Sequence, residues 1–365
     1  MKEYEELQHM EQITEPEANS SINYFIPHHA VIKETSSTTK VRVVFDASCK
    51  TTSGISLNDI SIVGPTVQSS LMNKVLRFRS HTFVITADIE KMYRQINIKP
   101  EQHNLQLILW RNNPNENIKI FQLKTVTYGT ASAPYLATRT LNQLAIDERE
   151  KFAKAAQIVQ TDFYVDDVMT GASSFQEAQQ IVHDLRNLTQ LGGFHLRKWC
   201  SNHPQLLKDI PAADIEQSVC NIDQEQSVKT LGLIWNPNKD IFQFSFNNQQ
   251  HHHNLTKRTI LSAIGQIFDP LGLIGPVIVL AKLLMQKLWI CKIGWDDTLP
   301  DEITKEWMAY KNGLHLLAKL EIPRCVISSS PETKYEIHGF SDASEVAYGA
   351  CVYLCSINPS QNATA

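Results

Sequence analysis

The segment 163–169 constrains the fold of this chain more than any other stretch. Its sequence is Phe-Tyr-Val-Asp-Asp-Val-Met, so two adjacent acidic residues separate two short apolar runs. Two β-prone runs joined by two turn-forming residues predict a β-hairpin with Asp166 and Asp167 at its tip. Adjacent carboxylates repel each other, and a hard divalent cation such as Mg²⁺ would hold both of them ionised. The pair is therefore either a solvated surface turn or part of a cation site.

Another acidic residue, Asp88, closes a predicted strand. Residues 83–85 are apolar and β-prone, which indicates a buried strand. A carboxylate at the end of a core strand is costly unless it is capped, paired or bound to a metal ion. Residues 89–93 predict a turn into a short helix. Asp88 is thus either the cap of that helix or a third cation ligand beside the acidic pair.

Length and composition bound the class of protein. A chain of 365 residues is too long for one ordinary core, so two or three subdomains are expected. Hydrophobic content of 42% with 20% charged residues is typical of a soluble globular protein. A net charge of −4 gives no overall basic character, so any basic groove for nucleic acid must be local. The seven cysteines are scattered without a C-x-x-C pair, which favours a reducing, intracellular and cytoplasmic location.

No segment predicts secretion or a membrane span. Residues 1–22 are acidic, without a basic start or an apolar stretch, so they predict a flexible segment rather than a signal peptide. The most apolar stretch, residues 271–290, contains Gly275, Pro276, Lys282 and Lys287, which favours a buried helix.

Two further features have open interpretations. A polar loop, residues 34–39, joins two predicted strands, with Lys33 before it and Arg42 after it. These cations are either solvated or part of a mobile flap that meets a polyphosphate. Gly129 lies between a predicted strand and a predicted helix. It either allows close approach of the backbone to a ligand or forms a plain turn.

The predicted elements alternate as strand, helix, strands, helix, hairpin, helix and strand. A capping box, Ser174 with Glu177, begins the helix after the acidic hairpin. Residues 194–199 then predict another strand, with Lys198 near its end. This order is typical of an α+β sheet with helices on one face.

The motifs in this order resemble the palm of reverse transcriptases, specifically those of BEL/Pao-type LTR retrotransposons, from about Tyr24 to the end of the chain. The segments that carry the resemblance are 26–33 and 42–48 (fingers strands), 56–59 with 64–65, 87–93 (motif A), 127–130 with 133–134 (motif B), 163–167 (motif C), 196–199 with 201–202 (motif D) and 231–235 (primer grip). The resemblance implies an α+β right-hand polymerase with palm and fingers, a helical thumb and connection, and an incomplete RNase H-like hairpin.

That resemblance also implies the chemistry of an RNA-directed DNA polymerase. Two Mg²⁺ ions, or Mn²⁺ in their place, would serve nucleotidyl transfer to a primer 3′-hydroxyl. Asp88 and Asp166 would bridge both ions, Asp167 would be the weaker ligand, and the carbonyl of Ile89 would join them. The partners would be an RNA or DNA template with its primer, and deoxynucleoside triphosphates.

By the same resemblance, several residues would contact the nucleotide. Lys33 and Arg42 would clamp the triphosphate, and Gly129 would lie under the nucleotide or the template strand. The ring of Tyr93 would sit against C2′ of the incoming nucleotide and leave no room for a 2′-hydroxyl. Tyr128 stands where some relatives carry glutamine.

Other implied roles lie further along the chain. Lys198 is either a proton donor to pyrophosphate or a salt-bridge partner, and Leu231 with Gly232 would form the primer-grip turn. Asp342 would be the first metal-binding carboxylate of an RNase H hairpin. No acidic residue follows Glu345, so RNase H activity is not expected from this chain.

The resulting domain prediction is a flexible N-terminal segment (1–22), fingers and palm (23–210), the end of the palm with primer grip and linker (211–250), a helical thumb and connection (251–325), and a truncated RNase H-like start (326–365). The leading function is RNA-directed DNA synthesis, in the cytoplasm or a retrotransposon particle. One alternative is a catalytically silent transposon remnant or domesticated fragment that only binds nucleic acid. An RNA-copying RNA polymerase shares the palm carboxylates, but Tyr93 argues against it.

Overall fold

The computed structural model describes residues 1–13, 23–32, 41–216, 228–230, 233–244, 255–327 and 333–357. In this part of the chain the α-helices are α1 (Lys2–Glu6), α2 (Leu57–Ile60), α3 (Leu71–Arg79), α4 (Ala133–Asp147), α5 (Ala153–Asp162), α6 (Phe175–Leu191), α7 (Lys257–Ile264), α8 (Gly275–Ile290) and α9 (Asp301–Gly313). The strands are β1 (Met10–Ile13), β2 (His28–Ile32), β3 (Val41–Phe45), β4 (Phe83–Ile89), β5 (Leu107–Trp110), β6 (Lys119–Leu123), β7 (Phe163–Tyr164), β8 (Asp167–Ala172), β9 (Leu196–Ser201), β10 (Val228–Thr230), β11 (Leu233–Asn236), β12 (Ile241–Gln243), β13 (Ile322–Pro323), β14 (Lys334–Ala343) and β15 (Tyr348–Ile357).

The strands of the described residues form five sheets, and in two of them the strand order departs from the order in the sequence. The sheet that carries the acidic hairpin has the order β7-β8-β4-β9. Other sheets have the orders β1-β6-β5, β2-β3, β10-β11-β12-β13 and β14-β15. Helices and sheets of this kind confirm the predicted α+β class.

The chain divides into two compact units, each discontinuous in sequence. Unit 1 contains Met1–Ser69, Asp88–Asp166 and His183–Leu196, and unit 2 contains Ser70–Ala87, Asp167–Val182 and Arg197–Ala365.

Unit 1 has a core in which the first residues of the chain take part. Tyr4 and Met10 are buried in one cluster with Phe45, Phe121 and other apolar residues. Strand β1 pairs antiparallel with β6, from Met10 opposite Leu123 to Ile13 opposite Ile120. The prediction of a flexible segment is therefore wrong for residues 1–13, because their apolar side chains have partners far along the chain. Residues 14–22 lie outside the described residues.

Unit 2 has a core beneath helix α3 and a separate helical cluster. Val75 and Phe78 of α3 are buried with Val84, Trp235 and other residues. Thr256 begins α7 with a capping box, and Ile260 of that helix is buried in a cluster formed with α8 and α9. Helix α8 forms within the apolar stretch 271–290 as predicted and is 16 residues long, but it is not a buried helix. Its buried residues are on one face, Ala281, Leu284, Met285 and Leu288, while Trp289 and Ile290 are exposed. Among the described residues, no helix has the length and apolar character needed to cross a membrane.

The hairpin of β14 and β15 is exposed along most of its length. Its strands pair from Lys334 opposite Ile357 to Ala343 opposite Tyr348. Apolar residues on it remain largely accessible, with Ile337 76% exposed and Val352 74% exposed.

Candidate active site

Strand β4 brings Asp88 next to Asp166 in unit 1. Val84 and Ile85 are fully buried, so the strand is fixed by its apolar residues, while Asp88 near its end is only half-buried. The N–H of Ile89 donates a hydrogen bond to the carbonyl oxygen of Asp166 over 2.9 Å. The two acidic residues predicted from separate motifs therefore lie on adjacent backbone segments.

Asp88 does not cap the helix that follows it. That helix is a 3₁₀ turn, Met92–Gln95, and its N-cap residue is Lys91. Asp88 lies inside strand β4 instead, one residue before its end. The helix-cap interpretation of Asp88 is therefore wrong, and its role as a cation ligand stays a prediction.

The acidic hairpin forms as predicted, but its turn is displaced by one residue. Strand β7 ends at Tyr164 and β8 begins at Asp167, so Val165 and Asp166 occupy the turn. Val165 has a φ of 55°. A β-branched residue in this left-handed region is strained, and such strain persists only where surrounding contacts impose it.

One of those contacts comes from a side chain that the sequence did not single out. The N–H of Val165 donates to Oε1 of Gln68 over 2.8 Å, and both residues belong to unit 1. The next residue, Asp166, is held through its carbonyl by Ile89. The turn is thus fixed at two successive residues. No local pattern around Gln68 indicates this long-range contact.

Two tyrosines lie beside the acidic turn in unit 1. The ring centroids of Tyr93 and Tyr128 are 4.6 Å apart. Burial, and then the negative charge of Asp166, raise the pKa of Tyr93. The same two causes raise the pKa of Tyr128 to about 12. Both phenols therefore stay neutral at physiological pH and can donate hydrogen bonds.

The backbone conformation and the surroundings of position 129 require a glycine there. Its φ is +96°, and a Cβ placed on it would lie 2.1 Å from the carbonyl oxygen of Phe45. Neither the conformation nor the space allows a side chain there. The predicted contact of Gly129 with a nucleotide or template strand stays a prediction.

Asn58 holds the backbone around Gly129 from both sides. Its Nδ2 donates to the carbonyl of Gly129 over 2.9 Å, and its Oδ1 accepts from the N–H of Ala131 over 2.7 Å. Asn58 belongs to α2, which begins with a capping box of Ser56 and Asp59. That capping box is the signal in the sequence that could have drawn attention to this residue.

The other predicted residues are dispersed. Arg42 is an exposed residue of β3 opposite Val31, whereas Lys33, Leu231 and Gly232 lie outside the described residues. Lys198 is a half-buried residue of β9 with a φ of 53°.

Asp342 lies in β14, far from the acidic turn in sequence. It is exposed and faces Gly349 in the register of the hairpin. Its carboxylate accepts the N–H of Ala343 over 2.8 Å. The expected lack of RNase H activity stays a prediction.

The donor chemistry of the acidic turn fits a hard divalent cation. Among the residues with described positions, no three or more His, Cys, Asp or Glu side chains are grouped so that they could hold a metal ion. The Ile89–Asp166 hydrogen bond nevertheless brings two half-buried acidic residues together, and Asp167 follows directly along the chain. Oxygen ligands of this type are those that Mg²⁺ prefers, and the ion would offset the repulsion between them. The metal site therefore stays a prediction that the local backbone supports.

Comparisons with known proteins show the family of this chain. The family model for reverse transcriptase (RNA-dependent DNA polymerase) matches residues 28–235, and the model for the Pao retrotransposon-like RNaseH-like domain matches residues 256–365. The second match includes both the predicted thumb and connection and the predicted RNase H-like start. The comparison with curated proteins gives no significant match.

A solved structure shares the fold. It is the foamy viral protease-reverse transcriptase dRH in complex with double-stranded DNA, with a TM-score of 0.55 and 14% sequence identity. The similarity covers 91% of this chain and 50% of that one, so the chain spans half the length of the viral protein. The reverse transcriptase model matches more than half of this chain, and the matched residues 28–235 include Asp88, Asp166 and Asp167. The chain therefore belongs to the reverse transcriptase family and carries, after its polymerase region, a Pao retrotransposon-like RNaseH-like domain.

Proposed function

We propose that this chain is a catalytically competent RNA-directed DNA polymerase that extends a primer 3′-hydroxyl with deoxynucleotides. The observation that carries the proposal is the hydrogen bond between Ile89 and Asp166, which brings the acidic residues of two distant motifs together. The neutral Tyr93 and Tyr128 pack on each other in the same unit as Asp166. This arrangement supports a site in which carboxylates face a polyphosphate while aromatic rings face a nucleoside.

Asp88, Asp166 and Asp167 would hold two Mg²⁺ ions, or Mn²⁺, with the carbonyl of Ile89 as a further ligand. Such ions stabilise the charge that develops on the phosphate and lower the pKa of a bound hydroxyl. The chain's own contribution is to fix the carboxylates in position, since positioning supplies much of the rate in phosphoryl transfer.

The proposed substrate contacts rest on the resemblance to reverse transcriptases. We propose that Lys33, Arg42 and Lys198 contact the triphosphate, and that Gly129 packs against the nucleotide or template. Leu231 and Gly232 would contact the primer. The foamy viral relative is in complex with double-stranded DNA. For this chain we propose an RNA or DNA template with a primer as the nucleic-acid partner.

The domain bounds remain part of this proposal. Fingers and palm would occupy residues 23–210, the primer grip and linker 211–250, the thumb and connection 251–325, and the RNase H-like start 326–365. A location in the cytoplasm or in a retrotransposon particle would suit a polymerase that copies RNA.

Primer extension on an RNA template tests the proposal. The purified chain should extend a DNA primer with Mg²⁺, whereas Asp88→Asn and Asp166→Asn should lower the rate roughly 10³-fold or more. Asp147→Asn is the matched control, because its exposed carboxylate ends α4 and only accepts a hydrogen bond from Gln143. Near-normal extension by either Asp88→Asn or Asp166→Asn would refute the assignment.

The alternative is a chain that binds nucleic acid without copying it. It predicts binding of a primer–template duplex, measured by fluorescence anisotropy, with no extension in Mg²⁺ or Mn²⁺. A wild-type chain that binds and does not extend would favour the silent binding protein.

A further inference from the structure

The first thirteen residues of the chain reach the segment that carries Tyr93. They precede the part of the chain matched by the reverse transcriptase model, which begins at residue 28. Strand β1 fixes them to β6, and Tyr4 and Met10 anchor them in the core of unit 1. The segment is therefore built into unit 1 and can transmit a constraint to its neighbours.

The guanidinium of Arg94 is the main contact point of this segment. The Arg94 side chain is only 8% exposed. Its Cζ lies 3.9 Å from the ring centroid of Tyr4, its Nε donates to Nδ1 of His9 over 3.0 Å, and its Nη1 lies 3.4 Å from Oε1 of Glu3. A buried guanidinium is costly without partners, and these partners all come from the first nine residues. Within the described part of the chain, Nη2 of Arg94 is buried without a hydrogen-bond partner. The carboxylate of Glu3 is therefore all the more important for stabilising the positive charge of Arg94.

His9 is in the protonation state that this contact requires. Burial, and then the positive charges of Arg94 and Lys91, lower the pKa of His9 to about 4. The ring is therefore neutral at physiological pH, and its Nδ1 can accept the hydrogen bond from Arg94.

Glu3 contacts both ends of the turn around Tyr93. Its Oε1 lies 2.6 Å from Nζ of Lys91 as well as 3.4 Å from Nη1 of Arg94. Hydrogen bonding to Lys91 is the largest cause that lowers the pKa of Glu3, so the carboxylate is ionised. Lys91 itself has a φ of 49°, a left-handed conformation that disfavours a side chain with a Cβ. The ion pair compensates for that strain.

The turn that Glu3 fixes is the one that presents Tyr93. The N–H of Arg94 donates to the carbonyl of Lys91 over 2.8 Å, which closes the turn around Met92 and Tyr93. The ring of Tyr93, the residue before Arg94, packs on the ring of Tyr128 with the centroids 4.6 Å apart. The N-terminal residues and the two tyrosines thus form one continuous group of contacts inside unit 1.

We propose that Glu3 is a positioning residue that holds the turn at residues 91–95, and with it the ring of Tyr93, so that the N-terminal segment sets how strictly the site rejects ribonucleotides. This inference rests on the proposed polymerase function. The ring rejects a 2′-hydroxyl by occupying its place, so a displacement of even a fraction of an ångström weakens the rejection.

The test compares Glu3→Gln with Glu6→Gln in the full chain. Glu3→Gln removes the charge that contacts Lys91 and Arg94 without changing the shape of the side chain. Glu6→Gln makes the same change in the same helix, where Glu6 contacts Lys2 at 3.9 Å in an exposed pair. Glu3→Asp retains the charge and should behave more like the wild type than Glu3→Gln does.

Two measurements are needed. The first is the ratio of kcat/KM for ribonucleotide and deoxyribonucleotide incorporation, which should rise roughly 3- to 10-fold in Glu3→Gln and stay unchanged in Glu6→Gln. The second is hydrogen exchange of the Arg94 amide without nucleotide or metal, which should be faster in Glu3→Gln alone because that amide closes the turn.

The outcomes separate this inference from the proposed function. Unchanged discrimination by an active Glu3→Gln chain, or unchanged exchange at Arg94, would overturn the role of Glu3. If the wild type extends no primer, the polymerase proposal fails. The role of Glu3 in setting ribonucleotide rejection fails with it, and the exchange experiment then shows only whether Glu3 holds the turn.

Discussion

The ring of Tyr93 lies against the ring of Tyr128, with their centroids 4.6 Å apart and their planes inclined by 41°. The contact joins a residue just after β4 to one just before Gly129, so two motifs that are distant in sequence share one aromatic wall. Aromatic pairs of this geometry add roughly 0.5–1.5 kcal/mol beyond the burial of their area. The wall therefore has a defined position, which a site that discriminates between two sugars requires.

Replacing Tyr93 tests the sugar discrimination. Tyr93→Ala removes the ring expected to meet C2′, so incorporation of ribonucleotides relative to deoxyribonucleotides should increase roughly 10- to 100-fold. Tyr93→Phe keeps the ring and loses only the hydroxyl, so it should leave the ratio near the wild-type value. Single-nucleotide primer extension with both substrates gives the ratio. An unchanged ratio in an active Tyr93→Ala chain would contradict the role of the ring.

Gly129 offers a test of the backbone next to this wall. Gly129→Ala forces a side chain into a left-handed conformation and within 2.1 Å of the Phe45 carbonyl. The unfolding free energy should fall by about 2 kcal/mol or more, since conformational strain and a backbone clash add. Gly193→Ala is the matched control in the same unit, because its φ is +74° and nothing lies within 4 Å of the added Cβ. That change should cost only about 1 kcal/mol.

Chemical denaturation of the two glycine variants measures the difference. Equal destabilisation by Gly129→Ala and Gly193→Ala would show that the approach of the Phe45 carbonyl is not the constraint. Asn58 would then be the main reason for the shape of the turn.

The contact between Gln68 and the acidic turn gives a double-mutant test. Gln68→Met keeps the size of the side chain and removes the oxygen that accepts the N–H of Val165, which should cost about 1 kcal/mol of stability. Val165→Gly removes the strain of a β-branched residue at a φ of 55°. In the Val165→Gly background the cost of Gln68→Met should shrink, because the turn no longer needs an external contact.

Activity should follow the same pattern. Gln68→Met should lower primer extension, because Asp166 directly follows Val165, the residue that Gln68 holds. The control Gln143→Met should leave primer extension unchanged, because Gln143 hydrogen-bonds to Asp147 on the surface of α4. Additive effects of Gln68→Met and Val165→Gly on stability would argue that the two residues act independently.

These contacts show which parts of the molecule the sequence could predict. The buried strand before Asp88, the acidic hairpin and the helix after Ser174 depend on patterns within a few residues, and all three are found. The motif order identified the family. By contrast, Glu3 with Arg94 and Gln68 with Val165 join residues that are 91 and 97 positions apart. Such pairs depend on tertiary packing, which leaves no periodic trace in the sequence.

Unit 2 contains a buried ion pair. Its loss should lower the free energy of unfolding far more than the loss of the exposed ion pair next to it. Arg324 is fully buried and bonds through Nε and Nη2 to the carboxylate of Asp240, with both distances 2.6 Å. Its Nη1 donates to the carbonyls of Phe78 and His81, so the guanidinium ties strand and helix ends together. Asp240→Asn leaves this charge buried without compensation and should destabilise unit 2 by about 3–5 kcal/mol.

The adjacent exposed pair supplies the control for that prediction. Lys239 lies next to Asp240 and contacts Glu321 at 2.8 Å, with both side chains about half exposed. Glu321→Gln makes the same carboxylate-to-amide change, and solvent screening should limit its cost to about 0.5 kcal/mol. Thermal unfolding of both variants measures the contrast. A small shift in Asp240→Asn, equal to that in Glu321→Gln, would mean that the carbonyls of Phe78 and His81 alone suffice to hold the buried guanidinium.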